Sequence, residues 1–123
     1  QQTNKEKAIS FLQLVVEGRV GEAFQQYIGQ NFCHHNPYFS GDSDSLMIAM
    51  KEDASDNPDK IMEIKRAIEE EDTVVIHSHI KQNNEDLGWA IVHIFRFENN
   101  KIVELWDLAQ AILENSPNEN GVF

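Results

Sequence analysis

With one cysteine, Cys33, the chain has no internal disulfide, so its fold must be held by packing rather than by cross-links. A lone thiol fits a reducing compartment, and the cytoplasm is the expected location. No apolar run approaches the roughly 20 residues that a membrane helix needs, so no membrane partner is expected. The opening stretch, Gln1 to Lys7, is polar and carries no secretory pattern. A Gly-rich loop of the phosphate-cradling kind is also missing, and with it the signature of a nucleotide cofactor. Basic residues are scarce: 10 Lys and Arg stand against 21 Asp and Glu, for a formal charge of −11. No basic cluster offsets that balance locally, and such a surface repels phosphate backbones, so nucleic acid is not expected as a partner. The acidic excess is read first as solubility.

What is present suits one domain over residues 1–123, long enough to bury a core. From Lys5, the residues Ala8, Phe11, Leu12 and Val15 recur at three- and four-residue spacing, which predicts a helix capped by Thr3 or Asn4 and stopped at Gly18. A second short helix carries Ala23, Phe24, Tyr27 and Ile28. The pattern breaks between Asn31 and Asp44, where His34-His35-Asn36-Pro37 and Tyr38-Phe39 lead into a Ser-Gly-Asp turn. A third short helix follows Ser43 and ends before Asn57-Pro58.

Strands account for the rest. Ile61 to Glu70 alternates imperfectly, with Met62, Ile64 and Ile68 assigned to one face. Thr73 to Lys81 is rich in β-branched residues, Gly88 to Glu98 is a long strand, and Lys101 to Ile112 is the last. Asn99-Asn100 between the last two is a tight-turn signal. Helices followed by consecutive strands predict an α+β fold: a curved, cone-shaped antiparallel sheet with the N-terminal helices on its concave face. The wide end, where helices do not fill the space, is the expected pocket.

The run from Val92 to Asp107 (VHIFRFENNKIVELWD) resembles the SnoaL-like polyketide cyclase family. That family belongs to the cystatin-like, nuclear-transport-factor-2-like superfamily, together with ketosteroid isomerases. His35-Asn36-Pro37, the alternating His77-Ser78-His79 and the closing Asn-Gly-x-Phe tail are similar to a bacterial branch of it. The resemblance implies a lyase- or isomerase-type enzyme that needs no metal or organic cofactor. It would carry out aldol condensation or proton transfer on a small hydrophobic carbonyl compound held in an enclosed pocket. A non-catalytic module that only binds such a molecule is the alternative. The resemblance also implies a homodimer through the outer face of the sheet. The last two long strands agree, since both of their faces are apolar and one helix layer covers only one face.

By the same resemblance, Asp107 and His93 match the family's acid–base pair on neighbouring strands. Two positions depart from the branch's pattern: many members have an acidic residue at His93 and a histidine at Leu105. A carboxylate in apolar surroundings is suited to removing a proton beside a carbonyl, and an imidazole to donating to the oxygen. Register sets a condition on that pair. A plain two-residue turn at Asn99-Asn100 pairs His93 with Trp106 and Val92 with Asp107, leaving the pair on opposite faces. A one-residue bulge in the last strand would bring Asp107 round to the face of His93.

Further candidates for substrate contact are His35 at the pocket mouth, with His34 as its exposed neighbour, Tyr38, His77, His79, Trp89, Phe95 and Trp106. His77 and His79 with another histidine and Asp107 could bind zinc, but alternation alone gives such pairs, and no metal is expected. Cys33 reads as a buried structural thiol.

Overall fold

A computed structural model describes residues 2–123. Helix α1 spans Asn4–Val16, and Thr3 and Glu6 close a reciprocal capping box at its start, an arrangement worth about 1 kcal/mol. Helix α2 (Val20–Tyr27) leads directly into strand β1 (Ile28–His34). Helix α3 (Ser43–Asp56) is capped by the Asp42 carboxylate, which accepts from Ser45 N–H at 2.9 Å. Strands β2 (Ile61–Glu70), β3 (Thr73–Lys81), β4 (Trp89–Glu98) and β5 (Lys101–Ala111) follow in meander order.

The sheet runs β1-β5-β4-β3-β2. The three hairpin contacts are antiparallel, but β1 lies parallel to β5, so the sheet is mixed rather than purely antiparallel. Sequence reading missed β1 for two local reasons: Gly29 breaks the alternation, and Asn31 adopts a left-handed φ of 60° where the register shifts. The sheet stays open, with β1 and β2 as its edges.

The three helices cover one face. Ala8, Phe11 and Leu12 of α1 and Val20, Ala23, Phe24 and Tyr27 of α2 bury against Val74, Ile76, Phe95, Phe97, Ile102 and Leu105. Phe11 and Phe95, both at 0% exposure, meet edge to face at 6.0 Å. On β2 the expected face is corrected. A register shift between Ile64 and Arg66 leaves Met62 and Ile64 packed on the core, while Ile68 turns outward at 56% exposure.

The opposite face is partly covered by the chain's own end. The Phe123 ring lies 5.3 Å from His77 and 5.0 Å from His79, with the Lys65 ammonium 5.0 Å above it. The tail therefore lies against the sheet.

Gly88 shapes the entry to β4. Its φ is +84°, and a Cβ there would stand 2.4 Å from the Ile80 carbonyl oxygen. Backbone must shift to admit any side chain. Gly88→Ala is expected to lower stability by about 2 kcal/mol or more, read as a lower urea midpoint. A loss under about 0.5 kcal/mol would mean that this loop yields freely.

Candidate active site

The β4–β5 hairpin decides which groups meet. Asn99 and Asn100 both have positive φ, 51° and 66°, the geometry of a two-residue type I′ turn. Glu98 pairs with Lys101 and Phe97 with Ile102, but Arg96 then pairs with Glu104, so Val103 is an extra residue on β5. Beyond this bulge Phe95 faces Leu105 and His93 faces Asp107. Both side chains thus lie on the helix-covered face, as directly opposed cross-strand neighbours.

Together they line a cleft of about 810 Å³ at the end of the sheet that α1 and α2 leave uncovered. Trp89, Ile91, Ile80, Leu108 and Ala109 form its apolar surface, with Asn36, Pro37 and Tyr38 from the β1–α3 connection along one side. Asp53, Lys60 and Gln82 complete it. The cleft is open rather than enclosed as expected: Tyr38 is 85% and Trp89 44% exposed. Among the described residues α3 contributes only Asp53 to its lining.

His93 is buried in the cleft floor, stacked on Phe95 with ring centres 6.0 Å apart. Its Nδ1 is sealed from solvent with no hydrogen-bond partner among the described residues, leaving Nε2 as the ring nitrogen that can serve the cleft. An orphaned buried donor is the costlier state. The proton of the neutral ring therefore belongs on Nε2.

Burial pushes the His93 pKa down to about 4, and the nearby Asp107 carboxylate offsets only part of that shift. The ring is accordingly neutral at pH 7. The unfolded chain binds this proton near pH 6.5 and the folded chain only near pH 4, so stability falls as pH drops between those values. The loss by pH 4 should exceed about 1 kcal/mol. His93→Gln should lack this component. Urea unfolding of both proteins between pH 7 and pH 4 measures it, and parallel pH curves would refute it.

Asp107 is held by Asn36, whose side-chain N–H donates to Oδ2 at 3.1 Å. The Asn36 Oδ1 accepts from the Tyr38 backbone N–H at 2.9 Å, so one amide both shapes the loop and orients the carboxylate. Neighbouring His34 is buried and structural. Its Nε2 donates to the Ser40 carbonyl at 2.6 Å, and its Nδ1 accepts from Asn36 N–H at 3.2 Å. The expected order is thus reversed: His34 is the buried ring and His35 the exposed one. The alternation Phe32, His34 along β1 turns both toward the core.

Several residues expected at the pocket lie elsewhere. His35 stacks on Trp106 at 4.9 Å and bonds the Glu104 carboxylate at 2.6 Å; none of the three lines the cleft. Trp106 points away because its neighbours Leu105 and Asp107 point in. His77 and His79 alternate with the buried Ile76 and Ser78 and so lie on the outer face against Phe123. Phe95 is core, not lining. Tyr38 and Trp89 do line the cleft.

The zinc quartet does not assemble, because His77 and His79 lie on the other face from Asp107. Cys33 is half-buried, with its sulfur among the ligating atoms of His35 and Glu104, all within 4.8 Å. Glu104 is already paired there with His35 and with Arg96, which hold its carboxyl below the usual range.

Sequence reading missed Asn36 as the partner of Asp107, along with Asp53 and Lys60. Lys60 stands just before β2, two residues after Pro58, in a segment read only as a helix boundary. Nothing local signals that its side chain enters the cleft.

An open five-stranded sheet roofed by three helices, with a cleft at its uncovered end, is the cystatin-like, nuclear-transport-factor-2-like architecture. Within it the chain belongs to the SnoaL-like polyketide cyclase family, which residues 6–112 match. Solved structures agree on the fold. A SnoaL-like polyketide cyclase from Agrobacterium tumefaciens superposes with a TM-score of 0.72 at 16% identity, over 89% of this chain and 93% of the other. An NTF2-like protein from Cytophaga hutchinsonii gives 0.72 at 17% identity, over 89% and 92%. A cystatin-fold protein from Novosphingobium aromaticivorans gives 0.71 at 17%, over 88% and 99%. No curated protein matches the chain in sequence. Among the described residues no helix is long and apolar enough to cross a membrane.

Proposed function

We propose that the cleft catalyses cofactor-independent proton transfer on a small carbonyl compound, of the kind that leads to aldol ring closure or isomerisation. The observation that carries this reading is the bulge at Val103, which sets Asp107 opposite His93 in one partly apolar cleft. Family membership supports a small-molecule cyclase-type role.

In this mechanism an Asp107 oxygen takes a proton from the carbon beside the substrate carbonyl, and the C–H electron pair becomes the enolate. His93 Nε2–H donates to the enolate oxygen as a neutral donor, since burial keeps the ring unprotonated at pH 7. For ring closure the enolate carbon attacks a second carbonyl of the same molecule. The proton on Asp107 then returns to the new alkoxide, which restores the carboxylate. Asn36 holds Asp107 in place throughout. Exchange in D₂O tests the idea without a known substrate. The protein should speed deuterium uptake at the α-carbon of small enolisable ketones, followed by NMR. No acceleration across a varied panel would favour a module that binds without chemistry.

The proposal includes a two-fold homodimer through the outer face of the sheet. Half-buried Val92, Ile94 and Trp106 lie there. Part of that face is already covered by Val122 and Phe123, so the partner would use the remainder. Light scattering at micromolar concentration should give about twice the 14.1 kDa chain mass; the single-chain mass would refute the dimer.

A further inference from the structure

The cleft contains a charged group that the proton-transfer step does not use. Lys60 lines it with a side chain only 16% exposed. Its ammonium is paired with the Asp53 carboxylate. An ammonium has three N–H donors, and among the described residues one is used. Asp53, by contrast, is held from two sides: its Oδ1 also accepts from the Asn57 side chain at 3.0 Å. The carboxylate is thus anchored without the lysine. Burial lowers the Lys60 pKa below the usual lysine range, which marks an ammonium short of solvation.

The two polar ends of the cleft differ in charge and lie apart: Asp107 is a lone carboxylate at one, and Lys60 with Asp53 is an ion pair at the other. Asp107 is on β5 and Lys60 just precedes β2, three strands across the sheet. Apolar Trp89 and Ile91 on β4 and Ile80 on β3, the two strands between, line the middle. A ligand anion is repelled by Asp107 and by Asp53, and among the described residues Lys60 is the one Lys or Arg lining the cleft for it to meet. The formal charge of −11 opposes its approach only weakly, because exposed charges are screened beyond about 8 Å at physiological salt.

We propose that Lys60 is an anion-recognition residue, and that the cleft takes an acidic carbonyl compound: a carboxylate at the Lys60 end, an apolar middle, and the enolisable carbonyl at the His93–Asp107 end. The orientation rests on the function proposed above, whereas the anion preference stands on Lys60 alone. Lys60 supplies a charge-assisted hydrogen bond to the carboxylate, and Asp53 is its internal competitor. Substrates lacking the acid bind in the apolar middle only.

The test is a binding titration with 6-acetyl-2-naphthoate and its methyl ester, followed by probe and tryptophan fluorescence. The wild-type protein should bind the acid about tenfold or more tighter than the ester. Lys60→Met should bring the acid-to-ester affinity ratio to about one or below, while Lys60→Arg should keep most of the preference. Asp53→Asn should strengthen acid binding several-fold, because the ammonium loses its competitor. A purely structural Lys60–Asp53 pair predicts the opposite: both removals would lower thermal stability and neither would alter the acid-to-ester ratio. Equal affinity in the wild type, an undiminished preference in Lys60→Met, or no binding of either compound would overturn the assignment. The readout needs no turnover. Failure of deuterium exchange alongside a kept acid preference would remove the proposed chemistry and leave the anion site standing.

Discussion

Asp107→Asn is expected to lower catalysed proton transfer by roughly 100-fold or more while leaving binding nearly unchanged. The substitution keeps volume and planarity, and the new side-chain oxygen can still accept from Asn36, whose N–H now reaches Oδ2 at 3.1 Å. What disappears is the one carboxylate placed opposite His93. Loss should therefore appear in kcat, or in the rate of deuterium exchange at saturating ketone, and hardly at all in KM. His93→Gln should cost less, because an amide N–H can replace part of the donation to the oxygen. If Asp107→Asn retains full exchange activity, the base is another group and the assignment of Asp107 fails.

Phe95→Ala should be the most damaging single change to stability, about 4 kcal/mol. The ring is fully buried, meets Phe11 edge to face at 6.0 Å and supports the His93 ring at 6.0 Å. Removing it opens a cavity between helix and sheet that rigid neighbours cannot fill. Such a loss is a large share of the stability of a domain this size. Urea unfolding would show it as a lower midpoint with an unchanged slope. By comparison Trp89, 44% exposed at the cleft rim, should lose under about 1.5 kcal/mol on truncation. A small effect at Phe95 would mean that the core repacks around the gap.

The contrast between these two aromatics marks where sequence reading reached its limit. Phe95 and Trp89 occupy the same face of one strand, and alternation alone treats them alike. Only the position of α1 separates them: its Phe11 covers Phe95 and does not reach the other end of β4. The same holds for His77 and His79. Their shared face was legible, but which face became the core depended on where the helices settled. His34 is different. The alternation of Phe32 and His34 was present in the chain and pointed inward, and the neighbouring Gly29 and Asn31 obscured it.

By itself the amino-acid sequence determined the three helices, four of the five strands, the α+β class, the tight turn at Asn99-Asn100 and the family, because these rest on local periodicity, turn chemistry and a contiguous motif. It also posed the decisive question, whether a bulge returns Asp107 to the face of His93. Tertiary structure alone answered it, at Val103. It also brought Asn36 to Asp107 across 71 positions and turned Lys60 into the cleft. The physical reason is that a one-residue slip reverses every side chain beyond it. Whether a strand slips is settled by the apolar faces of Ile102, Leu105 and Phe95 closing against the helices, a long-range burial that no local pattern encodes.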